Sequence, residues 1–150
     1  MSRFNGLFVL IALFLTSCGA GKKAPVSLFP EAAYVQIYVD ADDDKMTEKA
    51  GPKLNEKQRA KLQSIVFIET VDPDREMTAC FVPHHWFRYF DAKGNQIGEV
   101  AVCFCCFQVS IDPAPASAYS SDHIVSGDMQ KLEKLVHELG QPTNIACDDQ

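Results

Sequence analysis

The residues that could do chemistry in this 150-residue chain concentrate between Cys80 and Cys106. This stretch, CFVPHHWFRYFDAKGNQIGEVAVCFCC, holds four of the six cysteines and the adjacent pair His84 and His85. Thiolate and imidazole ligands suit zinc or copper(I), so Cys80, His85, Cys103 and Cys106 form a candidate Cys₃His metal set. The same thiols could instead form disulfides, do thiol redox chemistry, or pack as small apolar side chains.

The choice among these chemistries depends on the compartment, which the N-terminus indicates. Residues 6–15 (GLFVLIALFL) are an uncharged apolar run, too short for a permanent span of ~20 residues and typical of a secretory signal. The following Leu15-Thr16-Ser17-Cys18 resembles the bacterial lipobox. That resemblance implies cleavage before Cys18, a diacylglycerol on its sulfur, and sorting to the outer membrane if the host is Gram-negative, because Gly19 is not Asp. We expect a signal peptide at residues 1–17.

The rest of the chain is predicted to be one anchored domain. Residues 18–33 would be the lipidated cysteine and its tether, and residues 34–150 a single globular unit. The formal net charge of −6 argues against nucleic-acid binding and against electrostatic adhesion to anionic lipid. The expected partners are the membrane, through the lipid on Cys18, and an unknown envelope protein or small ligand.

Local patterns predict an α+β fold, with an antiparallel sheet, a central β-hairpin and two helices packed on it. Residues 34–39 (YVQIYV) alternate as a strand does, and residues 55–64 form a helix that Asn55 caps. Residues 126–139 have helical apolar spacing, ending at Gly140. Two β-rich runs, 86–90 and 97–107, flank a turn that Asp91 opens and Gly94 closes.

The hairpin suggests which cysteines meet. If Asp91 opposes Asn95, then Trp86 faces Val100, His84 faces Val102, and Cys80 faces Cys106. Cys103 and Cys105 then share the other face with His85 and Phe87. A disulfide between Cys80 and Cys106 is the first choice, and Cys80–Cys103 is the alternative after a one-residue slip.

The number of cysteines constrains every scheme. Apart from Cys18, five remain, so at least one stays free, pairs between chains or binds something. The disulfide candidates are Cys80, Cys103, Cys105, Cys106 and Cys147. On a straight strand Cys103 and Cys106 would point to opposite faces, which disfavours a zinc site unless a bulge intervenes. A redox-active pair would be expected at a helix N-terminus, a setting that this pair lacks.

The same stretch resembles a family of small secreted or lipid-anchored bacterial proteins of unknown function. The resemblance lies in three segments, Cys80-x-x-Pro83-x-His85, Tyr89-Phe90-Asp91-x-x-Gly94 and Cys103-Phe104-x-Cys106. This chain departs from the pattern where His84 replaces an Arg and where Cys105 occupies a variable position. The resemblance implies a type of protein and brings no reaction with it.

Other patterns are weaker. Asp40-x-Asp42-x-Asp44 begins like a calcium loop but has Lys45 where Gly is needed and Gly51 where Glu is needed, so a solvated acidic loop is predicted. Ser120, Asp122 and His123 have no nucleophile-elbow context. We expect a lipid-anchored envelope protein that binds or interacts without catalysis and needs no cofactor. The alternative is a periplasmic zinc, copper or thiol-redox protein that uses the Cys/His cluster.

Overall fold

The computed structural model describes residues 23–40, 47–70, 80–118 and 122–145. In chain order, the elements of these residues are β1 (Lys23–Pro25), β2 (Tyr34–Asp40), β3 (Glu48–Lys53), α1 (Glu56–Ile65), β4 (Val66–Thr70), β5 (His85–Phe90), β6 (Gln96–Cys103), β7 (Gln108–Asp112), a 3₁₀ turn (Ala116–Ala118), β8 (His123–Gly127) and α2 (Met129–Glu138).

The strands form two antiparallel sheets. The larger sheet has the order β3-β2-β5-β6-β7, and the smaller sheet has the order β1-β4-β8. The predicted α+β class with two helices is confirmed, and the β5–β6 hairpin lies inside the larger sheet. The second sheet was not predicted, because its strands are short and β8 lacks an alternating apolar pattern.

Alternating burial gives the larger sheet an inner and an outer face. Val35 and Ile37 of β2 and Phe87 of β5 are fully buried on the inner face. They join one apolar core with Leu62 of α1 and Leu135 of α2. Side chains between these positions, such as those of Tyr38, Trp86 and Arg88, lie half-buried on the outer face. The core therefore lies between the inner face of this sheet and the helices.

The two helices begin where their caps place them. Asn55 Oδ1 accepts the backbone N–H of Gln58 at 2.9 Å, and the Gln58 side chain accepts the N–H of Asn55 at 3.0 Å. This reciprocal capping box confirms Asn55 as the N-cap. α2 begins later than predicted, because Asp128 caps it and residues 126–127 belong to β8. Gly140 follows the helix at φ 71°, as predicted for a left-handed C′ residue.

The predicted turn of the hairpin is confirmed. Gly94 has φ 85°, and its N–H donates to the carbonyl of Asp91 at 3.1 Å. The Asp91 carboxylate accepts the backbone N–H groups of Lys93 at 2.8 Å and Asn95 at 2.9 Å. These local bonds make the turn independent of distant contacts.

The predicted register is correct only beside this turn. Phe90 pairs with Gln96, but a bulge then shifts the ladder, so that Tyr89 pairs with Gly98, Trp86 with Ala101 and His85 with Val102. The predicted partners of Trp86 and His84 were therefore wrong. The bulge brings Gly98 beneath Phe29, where a Cβ would lie 2.1 Å from the Phe29 ring. Only glycine fits there, and this close approach fixes the shifted register.

Two further expectations were wrong. The run 97–107 is not one strand, since β6 ends at Cys103 and β7 begins at Gln108. Asp40 does not belong to a solvated loop. It is the buried last residue of β2, and its carboxylate accepts a hydrogen bond from His84 Nδ1 at 3.3 Å. Asp42 and Asp44 lie outside the described residues.

Candidate functional site at the cysteine loop

The cysteine loop, residues 103–107, joins β6 to β7. Cys103 pairs with Gln108 at its base, and the next four residues form the turn. The backbone N–H of Cys106 donates to Cys103 Sγ at 3.2 Å. The Cys103-x-x-Cys106 motif therefore occupies a turn, not the straight strand that was predicted. Thiolate ligand pairs for metals commonly come from such spacing.

Cys80 reaches this loop from the other side. It lies before β5, and its Sγ is 3.0 Å from Cys106 Sγ. Cys80 is exposed and Cys106 is half-buried. A disulfide has an S–S distance of about 2.05 Å, so the two sulfurs are neighbours without being bonded. The structure brings this predicted pair together through the cysteine loop and the segment before β5. The strand register from which the pair was predicted is wrong.

His85 does not join the sulfurs. It lies on the inner face, 1% exposed, and its Nε2–H donates to the Pro142 carbonyl at 2.7 Å. Its ring contacts Phe104 edge-on, with centroids 4.9 Å apart. Burial lowers the pKa of His85 from 6.5 to about 4, since the charged ring would lose its hydration. At neutral pH His85 is an uncharged core residue.

The shifted register also separates Cys103 from His85. Val102 is the residue opposite His85, so Cys103 lies on the outer face, contrary to the predicted shared face. Cys103 is fully buried at the end of β6. Within residues 23–40, 47–70, 80–118 and 122–145, no three His, Cys, Asp or Glu side chains are grouped to hold a metal ion. The four predicted ligands, Cys80, His85, Cys103 and Cys106, are not brought to one point.

The remaining cysteines extend the site toward the C-terminus. Cys105 Sγ lies 3.6 Å from the carbonyl oxygen of Ile145. Cys103 has a free thiol, whereas Cys105 does not. Cys18 and Cys147 lie outside the described residues.

Val82 and Phe107, here called the apolar tip, lie close in sequence to Cys80 and Cys106, whose sulfurs are neighbours. Phe107 is 76% exposed and Val82 is 38% exposed, and these are the exposed large apolar side chains of the described part of the chain. Phe107 has φ 54°, in the left-handed region that a bulky residue rarely adopts. Sequence reasoning missed this tip, because neither Val82 nor Phe107 lies in a recognisable turn motif.

No family model, curated protein or solved structure matches this chain. The likeness to small lipid-anchored bacterial proteins therefore stays a prediction from the motif residues. In the described residues, no helix has the length and apolar character needed to cross a membrane.

The outer face of the larger sheet has a different character from the tip. The rings of Tyr34 and Phe90 stack with centroids 4.9 Å apart, and the Arg88 guanidinium lies over Tyr38 at 4.6 Å. Arg88 also donates to both carboxylate oxygens of Glu48, at 2.6 and 2.9 Å. The rings and charges thus contact one another across the strands, an arrangement that stabilises the sheet.

Proposed function

We propose that this protein is a lipid-anchored binding module of the bacterial envelope, held at the membrane by Cys18 and binding another envelope protein through the apolar tip. The lipobox-like segment before Cys18 supports the anchor. The binding surface is inferred from Phe107, which is exposed and has a left-handed backbone conformation. The chain acts without catalysis, and its cysteines and His85 have structural roles around the tip.

Two phenylalanines in left-handed conformations show why Phe107 is informative. Phe29 has φ 41°, and its ring packs over Gly98 and against Tyr89, with centroids 4.8 Å apart. Burial of an aromatic ring offsets the cost of that conformation. The left-handed backbone conformation of Phe107 has a similar energetic cost, but Phe107 is 76% exposed. In the described part of the chain, burial of the Phe107 ring does not offset this cost, and a partner that covers the ring would do so.

The neighbourhood and the charge favour a protein partner. Val82 follows Cys80 by two residues, and Phe107 directly follows Cys106, whose sulfur is 3.0 Å from that of Cys80. The backbones of Val82 and Phe107 are therefore both near this sulfur pair. With a net charge of −6, the chain is poorly suited to an anionic lipid surface, whereas a small apolar patch suits a protein interface.

The anchor is tested by Cys18→Ser. This variant should lose labelling with a radioactive or alkynyl fatty acid and should remain unprocessed by the lipoprotein peptidase. Wild-type protein that is processed normally, without a lipid, and recovered in the soluble fraction would exclude the anchor.

The binding surface is tested by photo-crosslinking in cells. p-Benzoyl-phenylalanine replaces Phe107, and in a matched control it replaces Gln96, which is exposed beside the other hairpin turn. We expect a discrete protein adduct from position 107 that is absent from position 96. Adducts to lipid only, or equal protein adducts from both positions, would contradict binding of a protein at the tip.

A metal-binding role is the second candidate, favoured by the cysteine loop itself. Cys103 and Cys106 lie at the two ends of one turn, and Cys80 Sγ is 3.0 Å from Cys106 Sγ, so metal binding would require the three thiols to converge further. Zinc or copper(I) would be the metal, without His85. This candidate predicts about one metal per chain, protected but reduced thiols, and stability that a chelator removes.

A further inference from the structure

We infer that copper(I) binds between His84 Nε2 and Cys103 Sγ, with Asp40 as the group that orients the imidazole. The site goes beyond the proposed binding of a protein at the apolar tip and does not depend on it. It deepens the second candidate, metal binding, on which it rests, by naming the metal, its nitrogen ligand and the carboxylate behind that ligand.

The three residues lie side by side on the outer face of the larger sheet. His85 pairs with Val39 of β2 and with Val102 of β6 in a row on the inner face. Each of the three residues is the chain neighbour of one member of that row, so together they form the next row, on the opposite face. The Asp40 N–H donates to the His84 carbonyl at 2.9 Å, which continues the contact of β2 with the β5 chain through this row. Side chains that are opposite one another in this way have Cβ atoms about 4.5–5.5 Å apart.

This row is buried, although other side chains of the outer face are half-buried. Asp40 is 7% exposed, His84 is 8% exposed and Cys103 is 0% exposed, whereas Trp86 and Arg88 on the same face are half-buried. Burial of polar side chains is costly unless they find partners. The row therefore holds a carboxylate, an imidazole and a thiol out of water, in the kind of surroundings that protect a bound metal from solvent.

The hydrogen bond at His84 fixes the tautomer of its neutral ring. Nδ1 lies 3.3 Å from Asp40 Oδ2 and donates to this carboxylate, so the proton is on Nδ1 and Nε2 carries a lone pair. Among the described residues, Nε2 is buried and has no hydrogen-bond partner. Metal-binding histidines commonly have this arrangement, with one ring nitrogen on a carboxylate and the other on the metal.

The lone pair of Nε2 is directed toward β6. The two ring nitrogens of an imidazole point in widely different directions, and Nδ1 faces β2, so Nε2 faces the side on which Cys103 is opposite His84. Cys103 has a free thiol, and its sulfur accepts the N–H of Cys106 at 3.2 Å. A donor at the sulfur favours the thiolate, which is the form that binds a metal.

His85 shows what the site needs besides an unpartnered nitrogen. Its Nδ1 is also buried without a hydrogen-bond partner in the described part of the chain. Its neighbours in the inner row are Val39 and Val102, and its Nε2 donates to a backbone carbonyl. His85 therefore has neither a carboxylate bonded to its second nitrogen nor a sulfur opposite it, and it serves as a matched control.

Ligand type and ligand number select copper(I). Thiolate and imidazole suit both zinc and copper(I), but structural zinc takes four ligands. In the described ranges no three His, Cys, Asp or Glu side chains are grouped to hold a metal ion, whereas copper(I) is stable with two ligands in a line. Copper(I) also replaces the thiol proton without changing the charge of the buried row, and zinc would add one positive charge.

The test is a competition titration under anaerobic conditions. Full-length protein in detergent is mixed with the coloured copper(I) complex of bicinchoninate, and the loss of colour measures transfer of copper(I) to the protein. We expect about one copper(I) per chain, and the copper K-edge absorption spectrum should show one nitrogen and one sulfur ligand. No transfer, or a ligand set without nitrogen, would contradict the site.

Variants assign the ligands. His84→Gln and Cys103→Ser should each weaken binding by more than ~100-fold, whereas Asp40→Asn should weaken it by ~10–100-fold and keep the nitrogen-and-sulfur spectrum, since it acts through His84. His85→Gln should bind copper(I) as the wild type does. His84→Cys should bind tightly with a spectrum of two sulfurs, a result that a merely structural role of His84 would not produce.

Cys80→Ser separates this inference from the metal candidate itself. Copper(I) binding that His84→Gln abolishes and Cys80→Ser leaves unchanged supports the inference. Binding that survives in His84→Gln, or that is lost in both variants, would overturn the two-ligand site. If binding survives in His84→Gln and is lost in Cys80→Ser, the metal candidate remains as a site of sulfurs alone. A wild-type protein that binds neither copper(I) nor zinc would contradict both.

Discussion

The two turns that flank β6 solve one backbone problem in different ways. Both place a residue in the left-handed region near their end, Gly94 at φ 85° and Phe107 at φ 54°. The β5–β6 turn has glycine at that position, and Asp91 supplies three side-chain hydrogen bonds. The cysteine loop has no glycine, asparagine, aspartate or proline.

This difference shows which turn depends on its surroundings. The first turn satisfies its backbone groups locally and needs no distant partner. The cysteine loop pairs with distant segments instead, through the contact of Cys106 with Cys80 and of Cys105 with Ile145. A strained loop held by its surroundings is a common setting for function, whereas a self-sufficient turn usually serves the fold.

Reduction of the protein with a thiol reagent should have the largest effect on stability. The effect should be confined to the cysteine loop. We expect a loss of ~2–5 kcal/mol in the free energy of unfolding, measured with denaturant, because the disulfide predicted from the sequence, with Cys80–Cys106 as first choice, would restrict the unfolded chain. Hydrogen exchange should increase in residues 103–107 and stay unchanged in residues 91–95. An equal increase of hydrogen exchange in both turns, or an unchanged free energy of unfolding, would contradict the proposed difference between the turns.

Acid should also act on the cysteine loop, through His85 beneath Phe104. The pKa of His85 is lowered from 6.5 to about 4 by burial, so below pH 6.5 the unfolded chain binds a proton that the folded chain does not. Stability contributed by neutral His85 is therefore complete above this range and is lost as pH falls from about 6.5 to about 4. The loss amounts to about 3 kcal/mol.

Urea unfolding across this pH range measures the slope. His85→Gln keeps a donor for the Pro142 carbonyl and cannot be protonated, so it should remove the His85 part of the slope. A variant with the wild-type slope would show that His85 does not titrate as described.

Gly94→Val tests the β5–β6 turn, which satisfies its backbone groups locally. A Cβ at Gly94 meets nothing within 4 Å, so the cost is the backbone conformation alone. We expect a loss of ~1–2 kcal/mol in the free energy of unfolding. Gly94→Asn should lose less, because asparagine tolerates the left-handed region. Wild-type stability of the valine variant would show that the turn does not need glycine.

Phe107→Asn should have the smallest effect and the opposite sign. Asparagine relieves the left-handed cost while little ring burial is lost, so stability should rise by ~1 kcal/mol. Phe29→Asn is the matched control and should be destabilising, because it uncovers Gly98 and Tyr89. A destabilised Phe107→Asn would mean that the ring supports the fold and does not serve a partner.

The contrast between the turns also explains what could be predicted from the sequence. Asp91, Gly94 and Asn55 act through their own backbone neighbourhood, so the first turn and the first helix cap were predictable. The cysteine loop has no such signal, although the run 97–107 was already long for a strand, since strands are commonly ~3–10 residues. Alternation in Gln108–Asp112 was a further indication of a separate strand.

The parts of the site that were missed depend on distant residues. The register shift arises from Phe29 over Gly98, and the neutral state of His85 arises from burial beside Phe104 and Pro142. The β3 strand Glu48–Lys53 is exposed, with Gly51 and Pro52 inside it, so its composition indicated a loop. Such features require the folded chain, because no local propensity encodes them.

The intact mass of the protein from the membrane fraction, alkylated in denaturant with and without prior reduction, tests the account most directly. We predict a chain that begins at a diacylglyceryl-modified Cys18 and carries at most three alkyl groups before reduction and five after it. Five alkyl groups before reduction, with about one zinc or copper per chain in a parallel native sample, would contradict the disulfide-held cysteine loop and favour the metal site.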